Sequence, residues 1–382
     1  MKFIDTQTQL DEIIKPLSQS KSLSIDTEAD SLHHYYEKLC LIQISTKSED
    51  YVIDTLAKLD FAPLVKVISE KPAICHGADF DLRMIHRFFG VEVKGVFDTM
   101  LAAQFIGYPR PSLVVLVEKH YNISLPKANQ KADWSKRPLT DSMVEYAGND
   151  SHYLLGLAEI LEKEMKKLNR LAWFEESCDA TAKQVIIKRT VDLDQLWRVK
   201  GSKDLKPTEL VFLRELWQWR EKESQRRDRP RFKVMGNDQM VRIAQWVESH
   251  PDQEITKCKD VPGSFNESKI KSIEKYIQKA MKTPVQDILV HKSKKPSKRF
   301  SSKQKNTLAL LKKERTKIST TLNMDPSLIV SNASMESMIA KEIITPDALQ
   351  KSGLLLKWQY ELIGELFIKL LQPLPKPAII NK

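Results

Sequence analysis

Residues 24–28 read Ser24-Ile25-Asp26-Thr27-Glu28, and the fold is decided there. The run Leu23-Ser24-Ile25 predicts a strand that delivers two carboxylates at its end. Side chains alternate along a strand, so Asp26 and Glu28 share one face and Thr27 takes the other. Two acids on one face repel unless something positive lies between them, and a divalent cation is the economical answer. The pattern recurs at Asp252-Gln253-Glu254, beside a proline, where solvated acids suffice. Downstream residues set the first copy apart.

Working outward, residues 7–19 predict a helix with Thr8 as N-cap and Leu10, Ile13, Ile14 and Leu17 at helical spacing. Leu39–Ile44 is nearly all apolar and predicts a strand buried on both faces. Tyr51–Ile53 follows after a short link, as in an antiparallel hairpin. Helices are predicted near 60–69, 79–89 and 99–106, with strands at Ala73–Cys75 and near 93–97. Hairpin strands followed by alternation with helices describe a mixed α/β sheet. Residues 112–121 and 140–168 predict helices around a polar loop, Pro126 to Pro138.

From about 171 onward helical periodicity dominates: 172–188, 207–224, 236–248, 267–281, 302–322, 334–341 and 353–371. Two parts of this region look alike. Each has a basic helix, a Pro-containing loop and a short helix bearing Ile-Ala, at Ile243-Ala244 and Ile339-Ala340. Lys292 to Arg299 between them is a basic linker.

With 382 residues the chain is expected to hold two or three domains. Its formal net charge of +11 favours a polyanionic partner, nucleic acid before an anionic membrane surface. Cys40, Cys75, Cys178 and Cys258 lack paired spacing, which excludes Cys-x2-Cys zinc sites and disfavours a disulfide framework. No signal-peptide layout opens the sequence and no apolar run is long enough to span a bilayer, so a soluble, cytoplasmic protein is expected.

Two further stretches carry acids. In Cys75-His76-Gly77-Ala78-Asp79-Phe80-Asp81-Leu82, both aspartates fall near a helix start. Asp79 reads as a cap. Asp81 borders the buried stripe of Leu82, Ile85 and Phe89 and can face inward. In Tyr146-Ala147-Gly148-Asn149-Asp150 the phenol and carboxylate are four apart and project together from a helix. Four converging carboxylates would hold two Mg²⁺ or Mn²⁺ ions about 3.5–4 Å apart, suited to in-line displacement at phosphorus. Oxygen donors suit hard cations rather than zinc.

The order Asp26-x-Glu28, Asp81, Tyr146-x3-Asp150 resembles the DEDD exonuclease superfamily in its tyrosine-bearing subclass. Cys40-Leu41-Ile42-Gln43, Phe97-Asp98-Thr99-Met100-Leu101-Ala102-Ala103 and Asp133-Trp134-Ser135-Lys136-Arg137-Pro138-Leu139 are similar to the ribonuclease D family, and the helical repeats resemble HRDC domains. The resemblance implies an RNase H-like mixed sheet with flanking helices in residues 1–170 and a helical linker at 171–207. A first HRDC domain at 208–285, a basic linker at 286–299 and a divergent second copy at 300–373 would follow.

It implies a monomeric 3′→5′ exoribonuclease releasing nucleoside 5′-monophosphates from tRNA precursors and other small structured RNAs with 3′ tails. Asp26, Glu28, Asp81 and Asp150 would be metal ligands, and Tyr146 would orient the attacking water or help deprotonate it. His152, two residues past Asp150, points off that face and argues against the histidine subclass. Gly148 departs from the small alanine-like residues expected between Tyr146 and Asp150.

Thr27, His76, Phe80, Lys136 and Arg137 are candidates for substrate contact, the last two through phosphates. Phe80 is equally readable as core, and Asp98 as a helix cap. His33, His34, Tyr35 and Tyr36 either line the RNA entry or form a surface loop. Trp217 and Trp219 precede a run of basic residues from Arg220 to Lys233, which would suit single-stranded RNA; a solvated helix face is the plain reading. No Gly-x4-Gly-Lys-Ser/Thr loop is present, so no nucleotide cofactor is expected. The competing functions are a non-catalytic RNA-binding protein with a vestigial nuclease domain and a DNA-directed exonuclease.

Overall fold

A computed structural model describes residues 1–109, 111–126, 128–186, 195–286 and 300–372. The predicted basic linker at 286–299 lies almost wholly outside the described residues. The chain divides into two compact units. One holds residues 1–28 with the described residues of 39–187 and 299–382. The other holds 29–38 with the described residues of 188–298.

The first unit is built on a six-stranded mixed sheet, order β1-β4-β3-β2-β5-β6. Its strands are β1 (Lys2–Ile4), β2 (Leu23–Ala29), β3 (Leu39–Ser45), β4 (Asp50–Asp54), β5 (Ala73–Cys75) and β6 (Phe97–Asp98). β3 and β4 form the predicted antiparallel hairpin; β1 runs parallel to β4, and β5 parallel to β2 and β6. Every residue of β3 is buried, as its unbroken apolar run requires. β1 has no counterpart in the predicted elements, and the strand expected near 93–97 is confined to Phe97–Asp98.

β2 lies between β3 and β5. Its pairing with β5 matches Leu23 to Ala73 and Ser24 to Ile74. β5 stops at Cys75, so Asp26, Thr27 and Glu28 run on past its end. Helix α3 (Asp79–Phe89) begins there, after Gly77 turns the chain at a φ of +78°. The Asp98 carboxylate accepts from the N–H groups of Gly77, Ala78, Met100 and Leu101. It therefore caps α4 (Thr99–Phe105) and also fixes the turn into α3.

Helix α1 (Gln7–Gln19) has the predicted bounds, but Thr6 rather than Thr8 is its N-cap, in a capping box with Gln9. α2 spans Ala62–Glu70 and α5 Leu113–Tyr121. The predicted helix 140–168 divides at Tyr153 into α6 (Asp141–His152) and α7 (Leu154–Lys167).

α8 (Leu171–Ile186), placed by the sequence in a linker, contributes Phe174 and Cys178 to a core shared with Phe105, Leu157 and Leu161. Trp358 stacks on Trp173 with centroids 5.0 Å apart and donates to Ser177 Oγ at 3.1 Å. Arg170 donates to the carbonyls of Phe105 and Leu322. The helices of 300–372 thus belong to the first unit.

The second unit is helical apart from its loop 29–38, with α9 (Pro207–Arg226), α10 (Arg231–Val234), α11 (Asn237–Ser249) and α12 (Glu267–Met281) around one core. Its first three helices have counterparts at Ser302–Leu322, Pro326–Ile329 and Asn332–Ala340. Arg220 Nη1 donates to the Met235 carbonyl at 2.9 Å, and Arg315 Nη1 to that of Val330 at 2.8 Å, each across fifteen residues. Burial lowers the pKa of both guanidinium groups, that of Arg220 to about 10.

Candidate active site

Asp26 and Glu28, from the free end of β2, meet Asp150 of α6. One carboxylate oxygen from each lies within 4.8 Å of the others. All three side chains are half-buried, and among the described residues no lysine or arginine pairs with them. Asp81 lies outside that triplet. It is only 3% exposed and takes a 2.6 Å hydrogen bond from the Thr27 hydroxyl. Thr27 is buried between half-buried Asp26 and Glu28, as strand alternation expects, and its bond ties Asp81 of α3 to β2.

The charges raise one another's pKa. Burial, then Asp81, Asp150 and Glu28, hold Asp26 well above the usual carboxylate range. Burial with Asp150 and Asp81 pushes Glu28 up to about 9. Burial raises Asp81 and Asp150 to about 7 each, although hydrogen bonds from Thr27 and Tyr146 oppose it. A compact set of oxygen donors that repel one another fits a hard divalent cation, not zinc.

Tyr146 donates its hydroxyl to Asp150, one helical turn on. Its own pKa is raised by burial and then by Asp150, Glu28 and Asp26, so the phenol keeps its proton beside these acids. Trp134, 1% exposed, lies 6.0 Å from the Tyr146 ring and holds it in place. On the same helix a Cβ at Gly148 would come 1.9 Å from Met1 Sδ. The glycine lets the Met1 side chain pack against α6, a contact no local pattern announces.

The remaining candidates separate. His76 Nδ1 bonds Thr99 Oγ1 at 2.9 Å, and burial lowers the pKa of its ring. Phe80 is 37% exposed with Arg83 5.9 Å from its ring, so it is not core. Asp79 is no cap: it pairs with Arg83 at 2.9 Å. Lys136 is exposed. Arg137 donates twice to Asp54, at 2.6 Å each, and to the carbonyls of Cys40, Trp134 and Lys136. Its donors are consumed in clamping the long loop to the sheet, and it has none left for a phosphate.

Residues 1–166 match the family model for the 3′-5′ exonuclease domain, and residues 209–253 match that for the HRDC domain. The chain joins a DEDD 3′-5′ exonuclease domain to an HRDC domain. Among relatives of this exonuclease–HRDC chain, the exosome complex exonuclease RRP6 of Saccharomyces cerevisiae is 31% identical over 263 residues, 64% of this chain and 36% of that one. The ribonuclease D of Nitrobacter hamburgensis is 28% identical over 274 residues, 70% of each chain. The chain thus spans about a third of the length of the RRP6-type relatives. The crystal structure of Escherichia coli RNase D superposes with a TM-score of 0.71 at 22% identity, covering 98% of this chain and 99% of that one. That likeness supports the mixed α/β sheet followed by a mostly helical C-terminal part. Among the described residues no helix is long and apolar enough to cross a membrane.

Proposed function

We propose that the chain is a 3′→5′ exoribonuclease that hydrolyses RNA from its 3′ end to nucleoside 5′-monophosphates. The observation that carries this reading is the triplet of Asp26, Glu28 and Asp150 oxygens within 4.8 Å, with Asp81 beside it. Two Mg²⁺ or Mn²⁺ ions held by these four acids would supply charge stabilisation and a nucleophilic water at neutral pH. Tyr146, donating to Asp150 and set by Trp134, orients the water-side ligand. Thr27 fixes Asp81. His76 and Phe80, on the turn into α3, would flank the terminal nucleotide, with Lys136 as an outer phosphate contact.

Precursors of tRNA and other small RNAs with 3′ tails are the proposed substrates, acted on by a monomer in the cytoplasm. The named relatives, a ribonuclease D and an exosome exonuclease, support RNA over DNA. Residues 1–170, 208–285 and 300–373 are proposed as the exonuclease and two HRDC-like domains. The matched Arg220 and Arg315 contacts support the duplication.

The test is incubation of the full chain with tailed tRNA and with matched single-stranded DNA, in Mg²⁺ or Mn²⁺, with products resolved by length. A ladder shortened from the 3′ end on RNA is expected. Shortening of DNA alone would replace the polymer assignment. No hydrolysis of either polymer would leave a binding protein.

A further inference from the structure

The layer between the sheet and α6 holds polar side chains that the four acids do not account for. Ser45 of β3 and Ser151 of α6 share a 2.7 Å hydrogen bond, and both are wholly buried. Leu41 of β3 belongs to one cluster with Trp134 and with Ala147 of α6. Residues two apart on a strand share a face, so Gln43, between Leu41 and Ser45, faces α6 as well. Its cross-strand partner on β4, Val52, is part of the same cluster. On β2, the strand beside β3, Asp26 and Glu28 meet Asp150 of the same helix. Gln43 and Asp26 therefore stand on neighbouring strands and on one face of the sheet.

Gln43 is 0% exposed, and among the described residues neither its Oε1 nor its Nε2 has a hydrogen-bond partner. Ser24, two residues before Asp26 on that face, is equally buried, and its Oγ is unpartnered too. A buried amide without partners is costly, and a methionine would fill the same length without that cost. An amide thus stands where packing alone asks for an apolar side chain.

The acids show where such a donor is wanted. Asp81 takes a side-chain hydrogen bond from Thr27, and Asp150 takes one from Tyr146. Among the described residues Asp26 takes no side-chain bond, only the backbone N–H of Thr27. A carboxylate that ligates a cation keeps lone pairs that need a donor. A lysine or arginine in that place would repel the cation, whereas an amide donates without charge.

We propose that Gln43 is a positioning residue for the cation site, its Nε2 donating to the Asp26 carboxylate and holding it in the orientation that binds Mg²⁺ or Mn²⁺. The amide gives up no hydrogen bond in making this one. The inference rests on reading the four acids as metal ligands.

The test is Mn²⁺ binding to the full chain, read from the electron paramagnetic resonance of free Mn²⁺, beside urea unfolding in a chelator. Gln43→Met keeps the length and removes the donor. Mn²⁺ affinity is expected to fall about 10- to 100-fold, the loss usual for a group that supports a ligand. The unfolding midpoint should hold or rise, because the unpartnered amide is gone. Ser45→Ala is the packing control: it breaks the neighbouring bond to α6 and should lower the midpoint without changing Mn²⁺ affinity. Wild-type affinity in Gln43→Met would overturn the proposal and leave the metal reading standing. Equal loss of affinity in both variants would overturn it as well, since packing rather than the amide would then set the site. A lowered midpoint in Gln43→Met would show the amide already spent in holding the fold, with the same consequence. A wild-type chain that binds no Mn²⁺ would sink the metal reading and this inference together.

Discussion

Two sets of carboxylates are sunk into the first unit, and the protein treats them differently. Asp54, at the end of β4, is 5% exposed and receives a two-pronged guanidinium from Arg137. Asp26, Glu28 and Asp150 crowd together with Asp81 beside them, and among the described residues no basic side chain pairs with any of the four. The same cost, a charge taken out of water, is met in one place by an arginine from a loop. In the other it is left as raised pKa values. An internally satisfied carboxylate is architecture. A cluster left unsatisfied is a site for a cation the chain does not itself contribute.

The sharpest break of this comparison is Asp26→Asn. Hydrolysis should fall by more than about 100-fold, the loss usual for a group that merely supports a ligand. The melting temperature should hold or rise, because repulsion is relieved. Residual activity near wild type would place the chemistry elsewhere. Arg137→Met should do the reverse, stranding Asp54 and costing about 3 kcal/mol of stability in urea unfolding. A stability within experimental error of wild type would show that the clamp is idle.

Thr27→Val sharpens the boundary between the two sets, since it removes the side-chain hydrogen bond that Thr27 gives Asp81. We expect kcat to drop about 10- to 100-fold, with a smaller change in KM. An altered KM alone would move Thr27 to substrate binding. The smallest effect is on stability against pH. Glu28 is raised from 4.5 to about 9 and Asp81 and Asp150 from 3.8 to about 7. The folded chain without metal therefore holds protons that the unfolded chain releases. Their contribution is full below about pH 4 and is lost as pH rises toward 9. Denaturant unfolding in chelator should weaken across that window, and added Mg²⁺ or Mn²⁺ should flatten the trend. A metal-free stability that climbs from pH 5 to 9 would contradict these shifts.

The sequence made some of this legible and hid the rest for physical reasons. β3 announced itself because burial on both faces leaves an unbroken apolar run, and α3 because its buried stripe is regular. β1 has three residues, too few to show a period. The acids could be found because strand alternation and helical spacing are local rules. The Thr27–Asp81 bond could not, since its partners lie 54 residues apart on different elements. Arg137 looked like a phosphate contact because its partner Asp54 lies 83 residues back. Gly148 departs from an alanine-like residue because a Cβ there would meet Met1, which lies far away in the sequence.

Calorimetric titration of Mn²⁺ into the wild-type chain at pH 8, in two buffers of different ionisation enthalpy, addresses the central claim most directly. At that pH Glu28 is still largely protonated, and a cation seated among the acids must displace its proton. The account predicts binding with release of at least one proton, and loss of that binding in Asp26→Asn. Absence of Mn²⁺ binding, or binding that Asp26→Asn leaves intact, would contradict it.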